Sequence, residues 1–421
     1  STKLKYFVSY QEPFFLFTSS EELMNKSVVQ LKSNTNPLKI AIIGSRGYPY
    51  VYSGYETLIK ELSERLVARG CEVTVYCHRN LFNKKPALVK GIKLVYVPTI
   101  ESKSLSQLIH SFLSMCHAAT SDADVIFAVN AANGPFGLIS KIFRKPTAIN
   151  VDGLEWLRPK WKGLGAKYFK IAARLSTILF DQIINDSDEM RKVYLNMFKK
   201  DSVVIAYGAT VIKSEELSLI KQWPITPKEY YLVVGRMIPD NNADIIVKGF
   251  LASNSTKKMV VVGDVFYRDN YADKLKALKD ERLIFTGYVN DSDVLAALYH
   301  HSYMYVHGHE FGGTNPTMIK AMAYGCGILA LNTVFNKEML NNDSYGIYFE
   351  KNQVAVRQQI DYADQHPKQI KKLSFTSNLL INIPNLLLNL PNLMLKNHSS
   401  VRRNPRQVHQ IKRATLDKKF N

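Results

Sequence analysis

Two short apolar runs that end on glycine, LKIAIIG (38–44) and YYLVVGR (230–236), each open a series of similar runs separated by helix-length segments. A run of apolar residues without alternation is buried on both faces and reads as a strand of a parallel sheet. After the first come CEVTVYC (71–77), KLVYVP, ADVIFAVN, PTAINVDG and QIINDS. After the second come MVVVGD (259–264), RLIFTGYV (282–289), MYVHG (304–308) and GILALN (327–332). Between the first two strands, Glu56 to Ala68 places Leu58, Leu62 and Leu66 on one helical face, and Gly70 supplies the stop. Alternation of this kind predicts an α/β chain of two Rossmann-like, doubly wound domains facing each other across a cleft. The expected division is an extension over 1–37, a first domain over 38–213, a linker over 214–228, a second domain over 229–372 and an irregular basic tail over 373–421.

With 421 residues the chain is long enough for two such cores, and 46% hydrophobic with 22% charged residues is the balance of a folded protein. No uninterrupted apolar stretch of about 18 residues suggests a membrane span, and the N-terminal segment lacks a small-residue cleavage pattern, so neither a span nor a secretory signal is expected. Cys71, Cys77, Cys116 and Cys326 form no close pair and read as buried thiols of a reducing compartment. The net charge of +19 suits an anionic partner: nucleic acid, a phosphorylated substrate or an anionic membrane face. A solvated surface explains it too. Eight Lys or Arg against one Asp lie in 391–421, where NIPNLLLNLPNLMLK repeats a short unit and Pro384 and Pro391 break any long helix. Phe420 is the one aromatic residue among those bases, which is poor material for stacking on nucleic acid.

Four stretches carry possible chemistry. GSRGYPYVYSGYET (44–57) joins a strand to a helix, with Gly44, Gly47 and Gly54 allowing a ligand close to the backbone. It matches neither GxGxxG nor a Walker loop. In NVDGLEWLRPKW (150–161), Asp152 and Glu155 follow a strand and alternate with Trp156, Arg158, Lys160 and Trp161. Aromatic faces beside charges suit a sugar, although a solvated loop accounts for the charges equally well. In VVGRMIPDNN (233–242), Arg236 ends a buried strand, where its fork suits a diphosphate or a salt bridge between domains. HGHEFGGTNPTMIKAMAYGCG (307–327) carries Gly312, Gly313, Thr314 and Asn315 into a helix that starts near Pro316, a second place for an anion. His307 and His309 have no third ligand at fixed spacing, so no metal site is expected.

These blocks, with INDSDEM, MVVVGD and NTVFNKEML, resemble in order the bacterial rhamnosyltransferases of the retaining GT-B superfamily, over roughly residues 38–345. The resemblance implies transfer of rhamnose from dTDP-rhamnose in cell-surface polysaccharide synthesis, with no cofactor and no metal. It implies a cytoplasmic protein lying peripherally against the anionic inner face of the plasma membrane. The partners implied are a nucleotide sugar and a glycan or polyprenyl-diphosphate-linked acceptor, with no nucleic acid. Asp152, Glu155 and Arg236 are the implied catalytic residues. Gly47, Arg236, Asn241, Glu310, Gly312, Gly313, Thr314, Asn315 and Lys320 would hold the donor. Tyr52, Gly54, Glu56, Trp156, Arg158 and Lys160 would hold the acceptor.

Two features depart from the pattern. Where related transferases carry a glutamate that accepts hydrogen bonds from the ribose hydroxyls, this chain has Lys320, whose ammonium has no lone pair to offer. Either Glu310 substitutes from nearby, or ribose recognition is changed, or Lys320 contacts phosphate instead. The Asn-Pro-Leu repeat also replaces the regular helices expected at the C-terminus. Both departures keep a second expectation open: a nucleotide-sugar or glycan-binding protein on the same scaffold, impaired as a catalyst.

Overall fold

The computed structural model describes residues 37–49, 54–100, 105–151, 153–158, 161, 163–209, 215–265 and 269–379. The described residues from Leu38 onward form one compact unit. Its first half is built on β1 (Lys39–Ile43), β2 (Glu72–His78), β3 (Leu88–Val89), β4 (Ile92–Val97), β5 (Val125–Val129), β6 (Thr147–Asn150), β7 (Gln182–Asn185) and β8 (Val203–Val204). They form a sheet in the order β3-β4-β2-β1-β5-β6-β7-β8, parallel except for β3 against β4. Residues of β1 alternate between two cores. Ile40 and Ile42 pack with Leu58, Ile59, Leu62 and Leu66 of helix α1 (Gly54–Ala68), while Ala41 and Ile43 pack with Met115, Ala118 and Ala119 of α2 (Leu105–Thr120). Each fully buried Ile or Leu side chain among these contributes about 1.5–3 kcal/mol, so a run polar on either face would not hold this strand. Helix α1 begins at Gly54, two residues before the start read from Glu56.

The second half repeats the plan with β9 (Tyr230–Val234), β10 (Lys258–Val262), β11 (Leu283–Gly287), β12 (Met304–His307), β13 (Gly327–Leu331) and β14 (Ile347–Phe349), all parallel, in the order β11-β10-β9-β12-β13-β14. Tyr231 and Val233 face one core, and Tyr230 and Leu232 face the other. Both halves reverse strand order beside their first strand, at β1/β5 and at β9/β12. In such sheets the reversal splays two loops apart at the carboxyl ends and leaves a crevice for a ligand. The loops after β1, β6, β9 and β12 are the four stretches singled out in the sequence.

Helix α12 (Pro367–Leu379) runs past residue 373, where an irregular tail was expected to begin; the rest of that tail lies outside the described residues. Cys71, Cys77 and Cys326 are buried and free, and Cys116 is half-buried and free. Among the described residues no helix is long and apolar enough to cross a membrane.

A buried imidazole pair steadies the first loop. His78 and His110 stack with ring centroids 3.9 Å apart. His78 Nε2 donates to Gln107 Oε1 at 3.2 Å, and Gln107 Nε2 donates to the Gly44 carbonyl at 2.9 Å. Burial, with the charge of Arg46 next, lowers the pKa of His78 to about 4. Burial, with His78 next, lowers that of His110 to about 3. Both are therefore neutral in the folded protein at pH 5, whereas in the unfolded chain they protonate near pH 6.5. Stability is full above that value and falls as the pH drops from 6.5 towards 4 and 3, by about 1–2 kcal/mol per histidine between pH 7 and pH 5. Denaturation midpoints of the His110→Phe protein should fall less steeply with acid than those of the parent. Equal slopes would mean the pair does not refuse protons in the fold.

Candidate active site

The loop after β1 is shaped by packing before it can serve a ligand. Gly44 has φ +96, and a Cβ there would lie 2.4 Å from the Val129 carbonyl of β5. Gly47 has φ +125, and its Cβ would lie 2.8 Å from Cys77. Glu56, 2% exposed, accepts the Arg46 amide at 3.0 Å and faces the Arg46 guanidinium at 3.8 Å. It braces the loop from below; this is a different use from the acceptor contact expected of it. Gly54, at the start of α1, looks across at the second half, with Pro316 Cγ 3.8 Å from where its Cβ would stand. Tyr52 lies outside the described residues.

In the loop after β6, Glu155 accepts Trp161 Nε1 at 2.7 Å and pairs with Arg158 Nε at 3.0 Å. The Trp161 ring lies 4.7 Å from Phe169, and the Trp156 ring meets Phe198 edge-on at 6.2 Å. Both tryptophans are half-buried against the first half and hold the loop to it. Asp152 and Lys160 lie outside the described residues. Arg158 reaches the second half, its Nη1 3.9 Å from Asp240 Oδ2.

On that side β9 ends at Val234, so Arg236 stands just beyond the strand, half-buried. Its carbonyl accepts Asn241 Nδ2 at 2.8 Å, while its guanidinium makes no hydrogen bond or ion pair with a described residue. The alternative of a structural salt bridge is thus not realised among them. Asn241 holds the loop, and Asn242 Nδ2 donates to the Gly308 carbonyl at 2.9 Å, bringing the loops after β9 and β12 together. His307 is 3% exposed; its Nδ1 lies 3.2 Å from the Tyr305 hydroxyl, its Nε2 has no hydrogen-bond partner among the described residues, and burial lowers its pKa to about 3. Glu310 pairs with Lys351 at 2.5 Å, which engages the carboxylate considered as a substitute ribose acceptor.

The glycine loop of the second half does something its sequence did not announce. A Cβ at Gly313 would lie 2.0 Å from Asp186 Oδ1 and 2.5 Å from Ser187 Oγ. Asp186 Oδ2 accepts the Thr314 amide at 2.8 Å, and the Thr314 hydroxyl donates to the Asp186 carbonyl. The Asn315 amide points at Met339 Sδ, 3.3 Å away, and the Asn315 side chain caps α9 (Pro316–Ala323) through the Thr317 amide. Two of the amides expected to face donor phosphates are therefore engaged within the protein, leaving those of Gly312 and Gly313. A second clasp runs the other way. Glu338 accepts the Asp188 amide at 2.6 Å and the Glu189 amide at 2.8 Å, at the positive end of helix α5 (Asp188–Phe198). Burial raises the pKa of Glu338 and outweighs those two bonds.

Lys320 lies on α9, and its ammonium makes no hydrogen bond or ion pair with a described residue. Burial lowers its pKa, and Glu61 of α1 across the cleft opposes that. Asp186, Asp240 and Glu338 were not singled out in the sequence, and His307 was weighed there only as a metal ligand. Asp186 and Glu338 sit in the blocks INDSDEM and NTVFNKEML, and that position was the one signal available.

Two Rossmann-like halves turning their switch points towards one cleft define the GT-B architecture. Residues 228–363 match the family described as glycosyl transferases group 1. Residues 38–210 match a family described as a domain of unknown function, DUF1972. No curated protein matches the sequence. A sucrose-phosphate synthase from Thermosynechococcus elongatus superposes with a TM-score of 0.71 at 15% identity, covering 86% of this chain and 100% of that one. HepE from Anabaena, in complex with UDP-glucose, superposes with a TM-score of 0.66 at 14% identity, covering 86% of this chain and 99% of that one. The catalytic domain of starch synthase IV from Arabidopsis thaliana, bound to ADP and acarbose, gives 0.64 at 11% identity, covering 86% and 100%. At these identities the likeness is one of fold.

Proposed function

We propose that this chain is a glycosyltransferase that moves a sugar from a nucleoside-diphosphate donor to a glycan or lipid-linked acceptor, with rhamnose from dTDP-rhamnose the favoured donor. The observation that carries the reading is Arg236: a half-buried guanidinium beyond the central strand of a group 1 glycosyl transferase segment, with no partner among the described residues. HepE, a structural neighbour, has been captured with UDP-glucose, which supports a nucleotide sugar as the ligand class. The hard step is departure of the nucleoside diphosphate, whose negative charge grows as the anomeric C–O bond breaks. The chain stabilises it without a metal, through Arg236 and the amides of Gly312 and Gly313, donors already in place when the cleft is closed. The acceptor hydroxyl attacks from the loops after β1 and β6, on the face the leaving group vacates, so configuration is retained. The acceptor is a polyprenyl-diphosphate-linked sugar, met by a basic protein lying against the anionic inner face of the plasma membrane in surface-polysaccharide synthesis.

A second reading, an impaired binder of nucleotide sugars, is favoured by Lys320 together with the engaged amide of Thr314. Titration calorimetry with dTDP and UDP tests both readings. The first predicts binding of one nucleotide by the parent and transfer of the matching sugar. The second predicts binding without transfer, and in Lys320→Glu about tenfold tighter binding of the ribonucleotide, as two hydroxyls regain a charged acceptor. Absence of binding in both proteins would remove both readings.

A further inference from the structure

Arg158 was placed with the acceptor on the strength of its neighbours in the sequence, and its surroundings point elsewhere. Its side chain is 12% exposed and belongs to the first half, yet it reaches Asp240 of the second. The 3.9 Å from Nη1 to Asp240 Oδ2 is too long for a hydrogen bond. The pair with Glu155 has Nε at 3.0 Å but is misaligned, so that Nε, though buried, makes no hydrogen bond. Asp240 Oδ2 is buried as well, without a hydrogen-bond partner among the described residues. Room is made for the guanidinium by Gly153, at φ +78, where a Cβ would come within 3.0 Å of Nη2. Arg158 is thus held in place by packing and by its ion pair with Glu155, and its guanidinium makes no hydrogen bond with a described residue.

An imidazole of the second half stands within reach of both arginines. His309 is depressed well below its ordinary pKa by burial first, then by His307, Arg158 and Arg236, so both guanidiniums act on one imidazole. No hydrogen bond joins that ring to a described residue. The glycine loop, where an anion was expected, has its Thr314 amide engaged by Asp186.

We infer that Arg158 is a second anion-binding arginine, which closes from the first half onto the same diphosphate that Arg236 holds from the second. The inference rests on the proposed function and goes further in one respect: the ligand is gripped by guanidiniums from both halves. Two planar forks from opposite sides can satisfy more phosphate oxygens than one, and each charge-assisted bond is of the strong kind. Asp240 stands near Arg158 while the ligand is away and repels the ligand when it arrives.

Binding of inorganic pyrophosphate, dTDP and UDP to the full chain by calorimetry tests this, with thermal unfolding run on every variant. Arg158→Gln should weaken diphosphate binding about tenfold or more, and Arg158→Lys should recover part of that loss. Arg158→Gln and Arg236→Gln combined should lose less than the sum of the two, the mark of groups sharing one ligand. Asp240→Asn should tighten binding, an effect of opposite sign that no damage to the fold would produce. Diphosphate binding unchanged in Arg158→Gln but weakened in Arg236→Gln would overturn the inference and leave the proposed function standing. An Arg158→Gln defect confined to the acceptor's KM would overturn it too. No binding of any of the three ligands by the parent protein would overturn both.

Discussion

An Arg236→Gln protein is expected to unfold at nearly the parent temperature and to transfer sugar about a hundred- to a thousandfold more slowly in a single turnover. The two halves of that expectation come from one observation. The guanidinium makes no hydrogen bond or ion pair with any described residue, so its removal breaks nothing there and should move stability by no more than about 0.5 kcal/mol. The same freedom leaves all five N–H donors for charge developing on the departing diphosphate. Deleting one preorganised donor to such charge costs about two to three orders of magnitude in rate. Glutamine keeps the bulk and a donor but not the charge or the fork. A parent-like rate would remove Arg236 from the site, and a matching fall in melting temperature would make it a structural residue.

Gly313→Ala is the second large effect, and it acts on how the halves meet. A methyl group there would stand 2.0 Å from Asp186 Oδ1 and 2.5 Å from Ser187 Oγ. Asp186 is fully buried and bound to both the amide and the hydroxyl of Thr314. It cannot retreat without giving up those bonds, so the glycine loop must lift away from the first half. The expected cost is about 1–3 kcal/mol, read as a lower melting temperature with slowed transfer. Gly54→Ala is the matched control, because its Cβ meets Pro316 Cγ at an ordinary 3.8 Å and should change stability by about 0.5 kcal/mol or less. Equal effects at the two glycines would mean that the contact with Asp186 does not constrain the loop.

How much of this could be read from the chain depends on whether the deciding neighbours are close in sequence. The strands were legible because a parallel strand is covered on both faces, so Ile40 to Ile43 and Tyr230 to Val233 are apolar without interruption. The strands β3, β8 and β14 passed unnoticed. They are two or three residues long, and all but Phe349 are at least partly exposed, which leaves no apolar run to find. The glycine loops were legible as turns, but their employment was not. Thr314 meets Asp186 across 128 positions of sequence, with Gly313 beside it, and no local pattern reports such a partner. Glu56 and Glu155 show the same gap at short range. A carboxylate near a presumed cleft looks like a ligand group until Arg46, Arg158 and Trp161 are seen to engage it. What charge and position revealed was the neighbourhood. Which charges are already answered there, and which, like Arg236 and Lys320, find no partner among the described residues, is a property of the folded packing.

The measurement that tests the central claim most directly is single-turnover sugar transfer by the full chain in the presence of EDTA. The donors are dTDP-rhamnose and UDP-hexoses, and the acceptor is a polyprenyl-diphosphate sugar. The account predicts a glycosylated acceptor and one equivalent of free nucleoside diphosphate from one donor, undiminished by the chelator. No product from any donor with the parent protein, with or without added divalent metal, would contradict it.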